Sequence, residues 1–132
     1  MTPSRRPRRA FVLAAGVGSR LGSITDSTPK CLLEIGGAPL LGRWLAQLEG
    51  AGITHTLVNT HHLATHVERF VENWRATHAM RIATFFEGDL LGSAGTLAAS
   101  RTFIPRGESA LVVYADNVSA ASVESFLAFH DQ

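Results

Sequence analysis

Four short apolar runs, Phe11–Ala14, Thr54–Thr60, Met80–Phe86 and Ala110–Ala115, alternate with segments whose apolar residues recur at helical spacing. Runs this short, bounded by glycine or polar residues, suit buried strands better than helices. After the Gly36-Gly37 turn, Pro39 opens a segment with Leu40, Leu41, Trp44, Leu45 and Leu48 on one face, ended by Gly50 and Gly52. A second helix is expected from about Leu63 to Trp74, with Val67, Phe70, Val71 and Trp74 aligned. A short one follows over Ala94–Arg101. A last one runs through Val123, Phe126, Leu127 and Phe129, capped by Ser119 or Ser122. Strands separated by helices require crossovers, so the pattern predicts an α/β fold of three layers, α/β/α, around a mainly parallel sheet.

The first run breaks off into Gly16-Val17-Gly18-Ser19-Arg20 and, further on, Pro29-Lys30. Gly16 and Gly18 permit positive φ and close approach of main chain to a ligand. Arg20 can grip two phosphate oxygens with its planar fork, whereas Lys30 is a mobile point charge presented from a segment stiffened by Pro29. Backbone N–H groups and two cations in one loop suit a polyphosphate. Two better-known glycine loops do not match. A dinucleotide fingerprint needs glycine where Leu21 stands, and no Gly-Lys-Ser/Thr follows as a P-loop requires.

The run Val12-Leu13-Ala14-Ala15-Gly16-Val17-Gly18-Ser19-Arg20-Leu21, followed by Thr25, Pro29 and Lys30, resembles the signature of the sugar-1-phosphate nucleotidyltransferases, such as the mannose-1-phosphate guanylyl- and glucose-1-phosphate thymidylyltransferases. One departure is Ser23, where the family commonly has proline. The resemblance implies a Rossmann-like domain and nucleotide contacts from Leu13, Ala14, Ala15, Gly16, Gly18, Ser19 and Arg20.

Composition agrees with one soluble domain: 132 residues, 45% hydrophobic and 17% charged. A net charge of +1 gives no reason to expect a nucleic-acid or anionic-membrane partner. Arg5, Arg6, Arg8 and Arg9 loosely imitate a twin-arginine signal, but the apolar stretch behind them is too short, and residues 1–8 read as a solvated basic tail. Cys31 is the single cysteine, so no internal disulfide can form and a cytoplasmic address is the default. Its expected role is a small core residue in the strand that follows.

In open parallel sheets ligands gather beyond the carboxyl ends of the strands, so the glycine loop, the Glu87 loop and the Asp116 loop should open on one crevice. Glu87-Gly88-Asp89-Leu90-Leu91-Gly92-Ser93-Ala94-Gly95 resembles the family's Leu-Gly-Thr-Ala-Gly element, with Ser93 in place of threonine, and the resemblance places base and ribose contacts on Glu87, Gly92, Ala94 and Gly95. An ionised Glu87 accepts hydrogen bonds only, which suits a guanine edge and slightly favours GTP; the alternative is a solvated glutamate in a turn. Asp116 corresponds to the family's ligand for Mg²⁺, and an aspartate ending a buried strand suits a hard cation, although capping the next turn would also explain it. His61, His62 and His66 lack the partners of a zinc site and read as solvated residues at a helix start. Trp44, Phe70, Trp74 and Phe126 fall at core spacing.

The reaction the resemblance implies is attack of a sugar-1-phosphate oxygen on the α-phosphorus of a nucleoside triphosphate, releasing pyrophosphate and giving an NDP-sugar. Arg20 would hold the β and γ phosphates and Lys30 would steady charge near the transferred group. Family members are typically longer, with a second metal-binding aspartate and most of the sugar pocket later in the chain. These residues are therefore expected to be a truncated nucleotide half, inactive or nearly so alone, with an unpaired last strand that invites self-association into a homo-oligomer. A cytidylyltransferase acting on phosphocholine or another non-sugar phosphate, and a catalytically silent nucleotide sensor, are the other readings.

Overall fold

The computed structural model describes residues 9–132, so the predicted basic tail at residues 1–8 lies outside the described residues. Arg9 does not belong to that tail: it opens the first strand, β1 (Arg9–Leu13), and its guanidinium lies 5.2 Å from the centre of the Phe103 ring. After a 3-10 turn over Ser19–Thr25 come a second turn over Lys30–Leu32 and a small antiparallel hairpin, β2 (Glu34–Ile35) with β3 (Ala38–Pro39). Then follow α1 (Leu40–Gly50), β4 (His55–Thr60), α2 (Ala64–Arg75), β5 (Arg81–Phe86), α3 (Gly92–Ala99), β6 (Ala110–Tyr114) and α4 (Val123–His130). Cys31 sits in the 3-10 turn and not in a strand; it is buried nonetheless.

The main sheet has the order β5-β4-β1-β6, parallel throughout, as the alternating pattern predicted. β1 and β4 are central and buried along almost their whole length; β1 is mainly apolar, whereas β4 buries Thr56, Asn59 and Thr60 beside Leu57 and Val58. Side chains alternate across the sheet. Ala10, Val12, Val58, Ile82 and Val113 join one core with Leu41, Leu45 and Leu48 of α1, Val67 and Val71 of α2, and Leu127 of α4. On the opposite face Phe11 meets Phe103 edge-on at 5.2 Å, and α3 covers the end of β4. Burying each fully enclosed leucine or valine is worth about 1.5–3 kcal/mol, so the α1 face carries much of the domain's stability.

Two expectations need correction. β6 lies at the sheet edge, unpaired on its outer side among the described residues as expected, but it is not a buried strand: Val112 and Tyr114 are open to solvent. Phe126 is 59% exposed and not core, since α4 turns Leu127 and part of Val123 inward and leaves Phe126 and Phe129 outside. Ser122 is the cap, its hydroxyl accepting from the N–H of Ser125 at 3.1 Å.

Candidate active site

The order of strands reverses beside β1: the chain steps outward to β4 and β5, then returns to β6 on the other side. Crevices form beyond the carboxyl ends of strands at such a switch point. A cavity of about 260 Å³ opens there, and each of the four strands delivers a segment to it: Leu13–Gly18 after β1, Asn59 in β4, Glu87 after β5, and Tyr114–Asp116 at the end of β6. The predicted convergence of the three loops is therefore present.

Gly18 takes φ +70°, and a Cβ on it would stand 3.0 Å from Thr25 Cγ2 and 3.2 Å from Lys30 Cβ. Both the backbone conformation and the space demand glycine. The Thr25 hydroxyl lies 3.2 Å from the carbonyl oxygens of Gly18 and Gly22, folding the 3-10 turn back on the loop. His62 fastens the turn from outside, its Nε2–H donating to the Thr25 carbonyl at 2.6 Å, and His61 donates from Nδ1 to the Glu87 carbonyl at 2.7 Å. The two histidines are thus loop fasteners rather than solvated residues. Among the described residues no group of three or more His, Cys, Asp or Glu could hold a metal ion.

Pro29 is extended (φ −57°, ψ 142°) and hands Lys30 to the cavity, where its Nζ lies 3.3 Å from Asp116 Oδ2. Asp116 is half exposed, and its loop is tied to α1: the Trp44 indole N–H donates to the Asn117 carbonyl at 3.0 Å, and the Gln47 amide to the Ser119 carbonyl at 3.2 Å. A single accessible carboxylate beside open space fits a magnesium ion that keeps several waters and arrives on phosphates. Cys31, behind Lys30, has its thiol pushed up to about 12 by burial, which removes it as a nucleophile at neutral pH.

Glu87 does not take the predicted role. It is 3% exposed, and its Oε1 accepts from Asn59 Nδ2 at 3.0 Å and from the Thr96 hydroxyl, while Oε2 accepts from the Leu91 N–H at 3.2 Å. Burial raises its pKa, but the hydrogen bonds from Thr96, Asn59 and Leu91 more than reverse this, so it stays ionised below the ordinary glutamate range. A carboxylate engaged by three donors of its own chain has little left for a guanine edge, and it is not a solvated turn residue either. Asn59, absent from the sequence-based expectations, links this carboxylate to the glycine loop. Its Oδ1 accepts from the N–H groups of Ala14 at 2.6 Å and Ala15 at 3.2 Å. The available signal was an asparagine inside an apolar strand, a position that demands buried partners.

Of the other expected residues, Leu13, Ala14, Ala15, Gly16 and Gly92 line the cavity, whereas Ser19, Arg20, Ala94 and Gly95 do not. Arg20 is exposed on the 3-10 turn. Gly95 serves packing, because a Cβ there would meet Leu91 Cβ at 2.9 Å. Ser93 and Tyr114 were not expected as partners; the Tyr114 hydroxyl donates to Ser93 Oγ at 3.1 Å across the cavity mouth.

Comparison with known proteins agrees with the fold. A putative glucose-1-phosphate thymidylyltransferase from Bacillus anthracis superposes with a TM-score of 0.84 at 23% identity, over 92% of this chain and 49% of that one. A mannose-1-phosphate guanyltransferase beta-B from Xenopus laevis is 28% identical over 123 residues, 92% of this chain and 34% of that protein. An N-acetylmuramate alpha-1-phosphate uridylyltransferase from Neisseria meningitidis is 43% identical over 60 residues, 46% of this chain and 26% of that protein. The chain therefore spans about a third or less of these two relatives. The family model described as nucleotidyl transferase matches residues 9–132, and the chain belongs to that family.

Proposed function

We propose that this chain supplies the triphosphate-binding half of an enzyme that transfers a nucleotidyl group to a sugar-1-phosphate, giving an NDP-sugar and pyrophosphate. The observation that carries the reading is the Lys30–Asp116 pair at 3.3 Å, held at the mouth of a cavity floored by the glycine loop. A cation and a carboxylate side by side are what a phosphate chain and its counter-ion need, and a structural cavity has no use for both.

Phosphate oxygens are nucleophilic at neutral pH, so the protein's work is alignment and charge neutralisation. The acceptor's phosphate oxygen attacks the α-phosphorus in line, a P–O bond forms, and the bond to the β-phosphate oxygen breaks as pyrophosphate leaves. A triphosphate would draw Lys30 from Asp116 toward the α-phosphate. Arg20, exposed two residues beyond Gly18, would reach the β and γ phosphates. Asp116 would hold a magnesium ion, which lowers the repulsion between phosphates when bound.

With the Glu87 carboxylate engaged, base choice rests on other groups around the cavity, among them Leu90 and the main chain of residues 13–16. The test is calorimetric titration of the chain with GTP, CTP, UTP and dTTP in Mg²⁺, followed by pyrophosphate assays of the whole enzyme that contains this half with sugar phosphates and phosphocholine. Release with a sugar-1-phosphate supports the proposal. Release with phosphocholine alone would replace the acceptor class, and no binding of any triphosphate would remove the reading.

A further inference from the structure

We propose that Asn59 is a positioning residue for the phosphate loop and that Glu87 sets its orientation; the inference rests on the nucleotide reading of the site. An asparagine carboxamide has two faces of opposite polarity. Here the acceptor face is fully committed to Ala14 and Ala15 N–H, and the donor face to Glu87 Oε1 at 3.0 Å, with Thr96 Oγ1 at 3.4 Å. Because Glu87 can only accept, it compels the NH₂ end of Asn59 to face it and thereby the oxygen to face the loop.

The consequence lies in the main chain. The N–H donors of residues 14 and 15 are consumed by Asn59, while those of Gly16, Val17 and Gly18 have no partner among the described residues. The division falls at the point where the loop leaves the sheet. Residues 14–15 are anchored, while the N–H groups of Gly16 and Gly18, which line the cavity, are left available to an anion. The Glu87 Oε2 bond to the Leu91 N–H extends the same restraint to the start of α3, so the glycine loop and the Gly92 loop are fixed relative to one another by one buried polar chain.

An exchange of roles tests this. Asn59→Asp alone sets two carboxylates against each other, and Glu87→Gln alone removes the feature that forces the orientation of Asn59. The double variant Asn59→Asp/Glu87→Gln rebuilds the chain with polarity reversed. The carboxylate now at position 59 accepts from Ala14, Ala15 and the new amide at position 87. The carbonyl oxygen of that amide accepts from Leu91, and the Thr96 hydroxyl turns to the Gly92 carbonyl 3.0 Å away. Each single variant should bind Mg·GTP on the order of tenfold more weakly, the scale of one buried donor or acceptor left unpaired, and the double variant should return to near wild-type affinity. Amide hydrogen exchange at Ala14 and Ala15 should quicken in Asn59→Asp and Asn59→Ala and slow again in the double variant. Thr56→Ala, elsewhere in β4, lowers stability without changing affinity and removes general destabilisation as an explanation. Unaltered affinity and exchange in the single variants, or no recovery in the double, overturns the inference. If the wild-type chain bound no triphosphate, the nucleotide reading would fall, and exchange at Ala14 and Ala15 would still decide the assignment of Asn59.

Discussion

Lys30 and Asp116, 86 residues apart in the chain, meet at 3.3 Å across the mouth of the cavity. Neither is deeply buried, so their attraction is screened by water. A pair of this kind adds only about 0–1 kcal/mol to stability. Under the proposed function their proximity bears instead on phosphate binding, and that separation of roles can be measured. Lys30→Ala should weaken Mg·triphosphate binding by about tenfold or more, the loss of one charge-assisted contact, while the melting temperature moves by no more than about 2–4 °C. Calorimetry and thermal unfolding on one sample check both halves.

His62 holds the Thr25 carbonyl from the segment before α2, and Thr25 in turn holds Gly18 and Gly22. Removing the imidazole in His62→Ala should cost about 1 kcal/mol, the net worth of an ordinary hydrogen bond. It should also raise protease sensitivity between residues 18 and 25 more than elsewhere. Limited proteolysis with mass-spectrometric mapping reads the difference; uniform sensitivity would show that His62 does not fasten the loop.

Arg9, His55 and Arg81 lie side by side at the amino ends of β1, β4 and β5. Burial first, and then the two guanidinium groups, push the His55 pKa below the ordinary histidine range. The folded chain therefore resists protonation at this site more than the unfolded chain. The stability it contributes is present above the ordinary histidine pKa and is lost as pH falls through that value toward the lowered one. Urea unfolding between pH 7.5 and 5 should show this loss, and His55→Thr should flatten that part of the profile.

Cys31 offers a test of packing behind the site. With the thiol buried and its pKa pushed up to about 12, an alkylating reagent at neutral pH should react only through opening of the fold. Labelling should accelerate in parallel with urea concentration, whereas rapid labelling of the native chain would show that the floor of the cavity is open.

The parallel sheet was legible because short strand-like runs alternate with segments whose apolar residues recur at helical spacing, and the cavity because glycine at residues 16 and 18 leaves few alternatives. Asn59 was not legible, since a polar letter within a strand announces a buried partner without saying which. Glu87 was misjudged for a related reason: a carboxylate after a strand looks available until the donors around it are placed. Phe126 and Val112 obeyed the periodicity of core residues, yet a pattern reports which face is apolar and not whether another element covers it.

The indole of Trp44 is hydrogen-bonded to the carbonyl next to Asp116. The chain thus carries an optical reporter under the Asp116 loop. The second tryptophan, Trp74, is stacked on His78 at 3.8 Å, far along α2 in a different setting, so Trp74→Phe would leave a single emitter. Emission from that variant would let occupancy of the Asp116 loop be followed in real time, without any label.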